Sequence, residues 1–261
     1  MVSAAKLRRA QERVIAARPY AKQMREMLEN LAAAAVSDPR SATSPWLVQR
    51  EPKRIDLILV TSDTGLAGAF NSNLLKAAQK FHQDHPGAEI TLTLVGRKGR
   101  DFYRKRGAKI HSDYVNVLGR PTYQEAAGIA AGAIERYRNG ETDAVYVLNN
   151  DFKSVMAPTL SVAQLLPVSL PEQQAKDYIY EQSPIDMLES LMPRFVEVAV
   201  FRAMLETVAS YQAARMTAMD TASTNAKDVI DGLTLVMNRI RQTAITKEII
   251  EVVSGAAAAA E

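Results

Sequence analysis

The sequence predicts an α/β protein in which a long antiparallel coiled coil of the N- and C-terminal helices brackets a Rossmann-like α/β domain. Three observations lead there. In the last third of the chain, apolar positions step by three and four from Leu188 through Leu191, Phe195, Val198, Leu205, Ala209, Met216, Met219, Ala226, Ile230, Leu233, Met237 and Ile240 to Ala244. Only Arg202, Gln212 and Ser223 are polar on that line. A second stripe, Leu7, Ala10, Val14, Ala17, Ala21, Met24, Leu28, Leu31 and Ala35, lies at the front. A spacing that averages about 3.5 residues is the left-handed coiled-coil period. Between the stripes, short β-branched runs alternate with helical segments, the pattern of βαβ units and a mainly parallel sheet.

Each element has its own warrant. The first helix is expected from about residue 2 to 36, with Pro19 inside it; the stripe keeps its register on both sides of the proline, so one helix is predicted, slightly bent. Ser37-Asp38-Pro39 ends it, and a polar loop with Pro45 and Pro52 follows. Strands are expected at Ile55–Val60, Ile90–Val95, Lys109–Val115 and Asp143–Leu148, and helices at Asn71–Gln83, within Gly96–Arg106 and at Tyr123–Arg138. Ser154–Val168 and Asp177–Glu181 are candidate edge strands. Ser183-Pro184 opens the last helix as N-cap and first helical residue, and Gly255 is expected to end it before an alanine tail. The division is therefore 1–37 for the first coiled-coil helix, 53–182 for the α/β domain and 183–255 for the last helix.

Helix lengths expose a mismatch. At 1.5 Å per residue the last helix is roughly 105 Å long and the first only about 54 Å. The longer one overhangs its partner with Ile245, Ile249, Ile250, Val252, Val253 and five alanines. A tip that apolar calls for cover. Two readings stand: a frayed tail, or a sleeve formed by another protein.

Composition narrows the function. A net charge of +3, from 32 basic and 29 acidic residues, gives no general argument for nucleic acid or an anionic membrane. The absence of cysteine excludes disulfides and thiolate chemistry, and three histidines leave little for a metal site. No apolar run approaches the roughly 20 residues that span a bilayer, and no signal peptide is visible, so a soluble intracellular chain is expected, with membrane association through partners only. No cofactor and no catalytic constellation are predicted.

Two motifs have competing readings. Thr61-Ser-Asp-Thr-Gly65-Leu-Ala-Gly68-Ala-Phe-Asn71 follows a strand and opens a helix, where dinucleotide folds hold phosphate. It lacks both the G-x-G-x-x-G and the G-x-x-x-x-G-K-[ST] spacings, which favours a structural turn over a nucleotide site. Gly96-Arg-Lys-Gly-Arg100 with Arg104-Lys105-Arg106 forms a basic patch with only Phe102 and Tyr103 to stack a base, so a solvated face or a protein contact is favoured over RNA or phosphate.

The chain resembles the γ subunits of F-type ATP synthases. The resemblance rests on Ala213-Ala-Arg-Met-Thr-Ala-Met-Asp220, Asn225-Ala and Asn238-Arg-Ile-Arg-Gln-Thr-Ala-Ile-Thr-Lys-Glu248, on Ala5-Lys-Leu-Arg-Arg-Ala-Gln11, on Ser62-Asp-Thr-Gly-Leu-Ala-Gly68 with Asn71, and on Gln164-Leu-Leu-Pro167. It departs at Thr64, where the family usually has Arg, and at Tyr211, where a glutamate is common. Family members usually carry several more helical turns before the position of Met1. The resemblance implies a coiled coil inside a ring of α and β subunits, and a foot that rests with the ε subunit on the membrane c-ring, at the cytoplasmic face of the plasma membrane. It implies that Arg241, Gln242 and Thr246 contact a loop of a catalytic β subunit, and that Lys6, Arg8, Arg9 and Arg13 face acidic β loops. The rival expectation is a non-catalytic coiled-coil scaffold with a degenerate dinucleotide-fold domain.

Overall fold

The computed structural model describes residues 2–36, 38–48, 50–154, 158–168 and 180–258. Helix α1 spans Val2–Ala35 without a break at Pro19. A 3-10 turn at Pro39–Ala42 follows, its start capped by the Asp38 carboxylate, which accepts from the Arg40 N–H. The α/β region then runs β1 (Arg54–Val60), α2 (Phe70–Asp84), β2 (Glu89–Val95), α3 (Arg97–Arg104), β3 (Ile110–Tyr114), α4 (Tyr123–Arg138), β4 (Ala144–Phe152) and β5 (Pro158–Leu166). Helix α5 runs from Pro184 to Ala258.

The sheet order is β3-β2-β1-β4-β5. The β1–β2, β1–β4 and β2–β3 pairs are parallel, and β4–β5 is antiparallel. That antiparallel partner carries β4 beyond the expected Leu148: Asn149 to Phe152 pair with Ser161 to Pro158. Of the two candidate edge strands, Ser154–Val168 contains β5. In Asp177–Glu181, residues 177–179 lie outside the described residues, and Tyr180 and Glu181 are not in a strand.

Alternation along the central strand assigns the layers. Ile55, Leu57 and Leu59 are buried with Phe70, Leu74, Ala78 and Phe81 of α2. Ile58 and Val60 are buried in a second cluster with Leu28 and Leu31 of α1, Ile129 and Ala133 of α4, and Met192, Val196 and Met204 of α5. Asp56 shares that second face. Its buried carboxylate is paired at 2.8 Å with the Arg136 guanidinium of α4 and accepts from Thr93 Oγ1. Tyr137 of α4 stacks on Trp46, and its hydroxyl donates to Pro45 O at 2.8 Å, which ties the polar loop to the core.

Helix α4 starts at a capping box in which Thr122 and Glu125 satisfy each other's backbone N–H. Helix α5 starts at Ser183, whose Oγ bonds the Asp186 carboxylate and whose carbonyl accepts from Met187 N. The expected stop at Gly255 is a correction: α5 continues through it to Ala258, because the alanines that follow are the best helix formers. By its internal packing the chain divides into two units, Met1–Met216 and Thr217–Glu261.

Candidate partner-binding surfaces

Within the first unit, α1 and α5 run antiparallel. Arg40 just past α1 meets Asp186, Arg18 meets Glu206, and Leu7, Ala10 and Val14 are buried in one cluster with Leu205, Ala209 and Ala213. Every member of the front stripe is buried except Ala17, which is half-buried. The seam carries a lock that periodicity does not reveal. Both Glu206 carboxylate oxygens accept from Arg18, at 2.9 Å each, and one also accepts from the Phe152 N–H at 2.8 Å. Arg18 donates in addition to Phe152 O. Glu206 is 2% exposed, and its hydrogen bond and charge raise the Arg18 pKa above its ordinary value. The lock fixes α1 and α5 to the end of β4.

In the first unit α5 is buried on more than its coiled-coil stripe. Met192, Val196, Val200, Ala203 and Met204 lie off the predicted line and are buried in the sheet-side core. A long apolar segment with charge on few positions was the available signal. Of the polar breaks in the stripe, Arg202 is half-buried 3.8 Å from Asp151, and Ser223 Oγ donates to Met219 O.

The second unit is a helix whose apolar side chains face solvent. Ile230, Leu233, Met237 and Ile240 of the predicted stripe are exposed, Leu233 at 63%, as are Ile245, Ile249, Ile250, Val252 and Val253. Arg241, Gln242 and Thr246 are exposed on this helix. Gln242 and Thr246 are one turn apart on one face, with Arg239, Thr243 and Ile250 beside them, and Arg241 turns onto the neighbouring face. Thr246 Oγ1 donates to Gln242 O at 2.8 Å and Thr243 Oγ1 to Arg239 O at 2.9 Å, so these hydroxyls are folded back onto the helix.

The glycine turn is closed on itself. The Asp63 carboxylate accepts from the backbone N–H groups of Arg97 at 3.1 Å, Asn116 at 2.9 Å and Leu118 at 3.3 Å. One of these amides, the Arg97 N–H, opens α3, and the other two lie in the loop after β3, so this cluster of N–H groups already holds an anion belonging to the chain. Gly96 has φ +103°, and a Cβ there would come within 2.7 Å of Thr61 Oγ1, so only glycine fits against the end of β1. The basic patch is likewise engaged. Arg97 bonds Asn116, Arg100 pairs with Asp101, Arg104 with Asp113, and Arg106 stacks on Phe102. Tyr103 is half-buried, and burial raises its pKa.

The two departures from the resembled pattern meet. Thr64 Oγ1 and the Tyr211 hydroxyl are 2.5 Å apart, across 147 positions of sequence, and Tyr211 also donates to Gly65 O at 2.9 Å. Two hydroxyls thus meet at the two positions where the chain departs from the resembled pattern.

Among the described residues no helix is long and apolar enough to cross a membrane, and no group of three or more His, Asp or Glu is arranged to hold a metal ion. Two antiparallel helices rooted on a mainly parallel sheet, one of them bearing an exposed apolar stripe, define a coiled-coil assembly subunit. A family model described as ATP synthase matches residues 1–259. The ATP synthase gamma chain of Solibacter usitatus is 54% identical over 99% of this chain and 91% of its own length, and that of Geobacter metallireducens 49% identical over 98% and 90%. Among solved structures, the central stalk and c-ring structure of the Tetrahymena thermophila mitochondrial ATP synthase contains a chain of the same fold, with TM-score 0.68 and 25% identity over 85% of this chain and 96% of that one. A chain of the Euglena gracilis enzyme matches at TM-score 0.62 and 18% identity over 98% and 95%. The chain belongs to the ATP synthase gamma-chain family.

Proposed function

We propose that the chain is the central rotor shaft of an F1Fo ATP synthase and makes and breaks no bond itself. The observation that carries the mechanical reading is the contrast along α5: locked into the first unit up to Ala213, solvent-exposed and apolar beyond Met216. In this reading the exposed stripe is the part enclosed by the ring of α and β subunits. The α/β region, 53–182, is the foot that rests with ε on the c-ring at the cytoplasmic face of the plasma membrane, and 1–37 with 183–255 form the shaft. A shaft of asymmetric cross-section touches the three β subunits of a pseudo-threefold ring differently at any angle. Differential contact is what shifts each partner's conformational equilibrium. Ion-driven rotation of the foot then carries every catalytic site through its states in turn, towards synthesis or hydrolysis of ATP.

Torque transmission requires that α1 and α5 not slip, and the Arg18–Glu206–Phe152 lock supports that requirement. Arg241, Gln242 and Thr246 are the side chains proposed to contact a loop of one β subunit. Arg241→Ala with Gln242→Ala should leave the chain folded and lower ATP synthesis by the reconstituted complex. Unchanged coupled synthesis and unchanged assembly would remove those residues from the interface. Met219→Pro should prevent the stalk from forming, and a normal complex would contradict the shaft.

A further inference from the structure

A cavity of about 830 Å³ opens in the first unit beside the glycine turn. Its walls are α1, α5 and the loops that follow β1 and β3. It lies at the carboxyl end of β1, flanked in the sheet by β2 on one side and β4 on the other. In open α/β sheets that is where ligands are taken.

The charge in this cavity is one-sided. Lys6, Arg9, Arg13, Arg120 and Arg215 line it, and none of the five forms an ion pair among the described residues. Arg13 donates to Pro121 O. The carboxylate in the wall, Asp63, is already held by three backbone amides. Three of the four front cations that the family resemblance directs at acidic partner loops therefore face this space instead, while Arg8 pairs with Glu12 on its own helix.

A second observation is independent of the charge. Thr207, at 0% exposure, lines the cavity with its hydroxyl unpartnered. Thr221, Thr224, Thr234, Thr243 and Thr246, further along the same helix, all donate to the carbonyl four residues back. Thr207 does not. Gln212 Oε1 and Arg215 Nε, about one and two turns on, are also shielded from solvent and without a partner. Buried polar atoms are ordinarily satisfied, so the two donors on this wall, Thr207 Oγ1 and Arg215 Nε, mark a place where an anionic ligand completes the set.

We propose that this cavity binds a polyphosphate anion, free or as the tail of a nucleotide, through Arg9, Arg13, Arg120 and Arg215, with Thr207 at its base. Four of the five cations are arginines, whose planar fork engages phosphate oxygens two at a time. They converge from three separate elements on one compact space, which suits several anionic oxygens on adjacent centres. The occupant would tie α1, α5 and both loops together.

Calorimetric titration of the full chain with sodium tripolyphosphate, ATP and AMP, at low and high salt, tests this. One equivalent of tripolyphosphate should bind, more tightly than AMP and more weakly as salt rises. Arg9 and Arg120 are exposed, so Arg9→Glu with Arg120→Glu should keep the melting temperature and weaken binding at least tenfold. Thr207→Val should weaken it severalfold without lowering the melting temperature. ATP binding no more tightly than tripolyphosphate identifies the phosphate tail as the part recognised. No binding of tripolyphosphate, or undiminished binding to the Arg9→Glu/Arg120→Glu chain, overturns the proposal. So does binding of an Asp/Glu-rich peptide in place of tripolyphosphate, which would make the cavity a protein-docking surface.

Discussion

One helix carries one apolar period through two opposite environments. Between Ile185 and Ala213, α5 is buried against α1 and the sheet; beyond Met216 the same three-and-four spacing points into solvent. The first stretch obeys folding and the second does not, since an exposed stripe of Ile230, Leu233, Met237 and Ile240 gains nothing for the isolated chain. Its regularity makes sense as a surface for other proteins. The stretches differ in composition as well. The buried one has polar groups with fixed partners, such as Glu206, whereas the exposed one has threonines folded onto their own helix.

Substitutions at matched positions sharpen the contrast. Met204→Ala should be the most damaging, at about 2–5 kcal/mol, since it empties a fully buried site. Denaturant unfolding measures it, and a loss below about 1 kcal/mol would mean that the sheet-side packing of α5 is loose. Arg18→Ala comes next. It leaves the Glu206 carboxylate buried with only the Phe152 N–H, at about 1–3 kcal/mol, moderated because Arg18 is partly solvated. Thr64→Arg with Tyr211→Glu probes the hydroxyl pair. Each alone should destabilise, and the double variant should recover about 0.5–1 kcal/mol relative to their sum in a double-mutant cycle. Leu233→Ala should change the stability of the isolated chain by no more than about 0.5 kcal/mol and yet weaken assembly with the ring.

The first unit also carries an acid response of its own. The Lys109 ammonium holds the Glu89 carboxyl below its ordinary range, and the Ser183 hydroxyl and the Arg40 guanidinium do the same for Asp186. At Asp143 burial acts upward, but the Arg54 guanidinium and N–H outweigh it and the net shift is down. Carboxyls with depressed folded-state values contribute stability above the ordinary carboxylate range and lose it as pH falls through the lowered values, below about pH 4. Asp56 acts oppositely. Burial raises it against the pull of Arg136, so its protonation is favoured in the folded state, and its contribution, full below the ordinary carboxylate value, is lost as pH rises through the raised folded-state value. Asp143→Asn should flatten the acid limb of a stability–pH curve, and an unchanged limb would show that this carboxyl does not set it.

Much of the fold is legible because its signals are local. The front stripe from Leu7 to Ala35, the βαβ alternation and the Ser183-Pro184 start of α5 each follow from spacing a few residues long. What escapes sequence reading is long-range pairing. Glu206 finds Arg18 across 188 positions, Thr64 finds Tyr211 across 147, and Asp63 reaches amides 34 to 55 positions away. No periodicity marks such residues. Asp63 in particular reads as a turn former until the folded chain shows it filling the amide cradle beside the glycine turn. Gly255 misleads for the opposite reason: a glycine ends a helix only where the chain has something else to do, and the alanines after it do not.

The central claim is that the chain turns as a rigid axle inside an α/β ring. Since it has no cysteine, a single Cys placed at an exposed foot position such as Lys80 gives a unique attachment point for a bead or fluorophore. With the ring immobilised and ATP supplied, the account predicts one-way stepping of the foot with three pauses per turn. A foot that stays fixed while the ring hydrolyses ATP would contradict it.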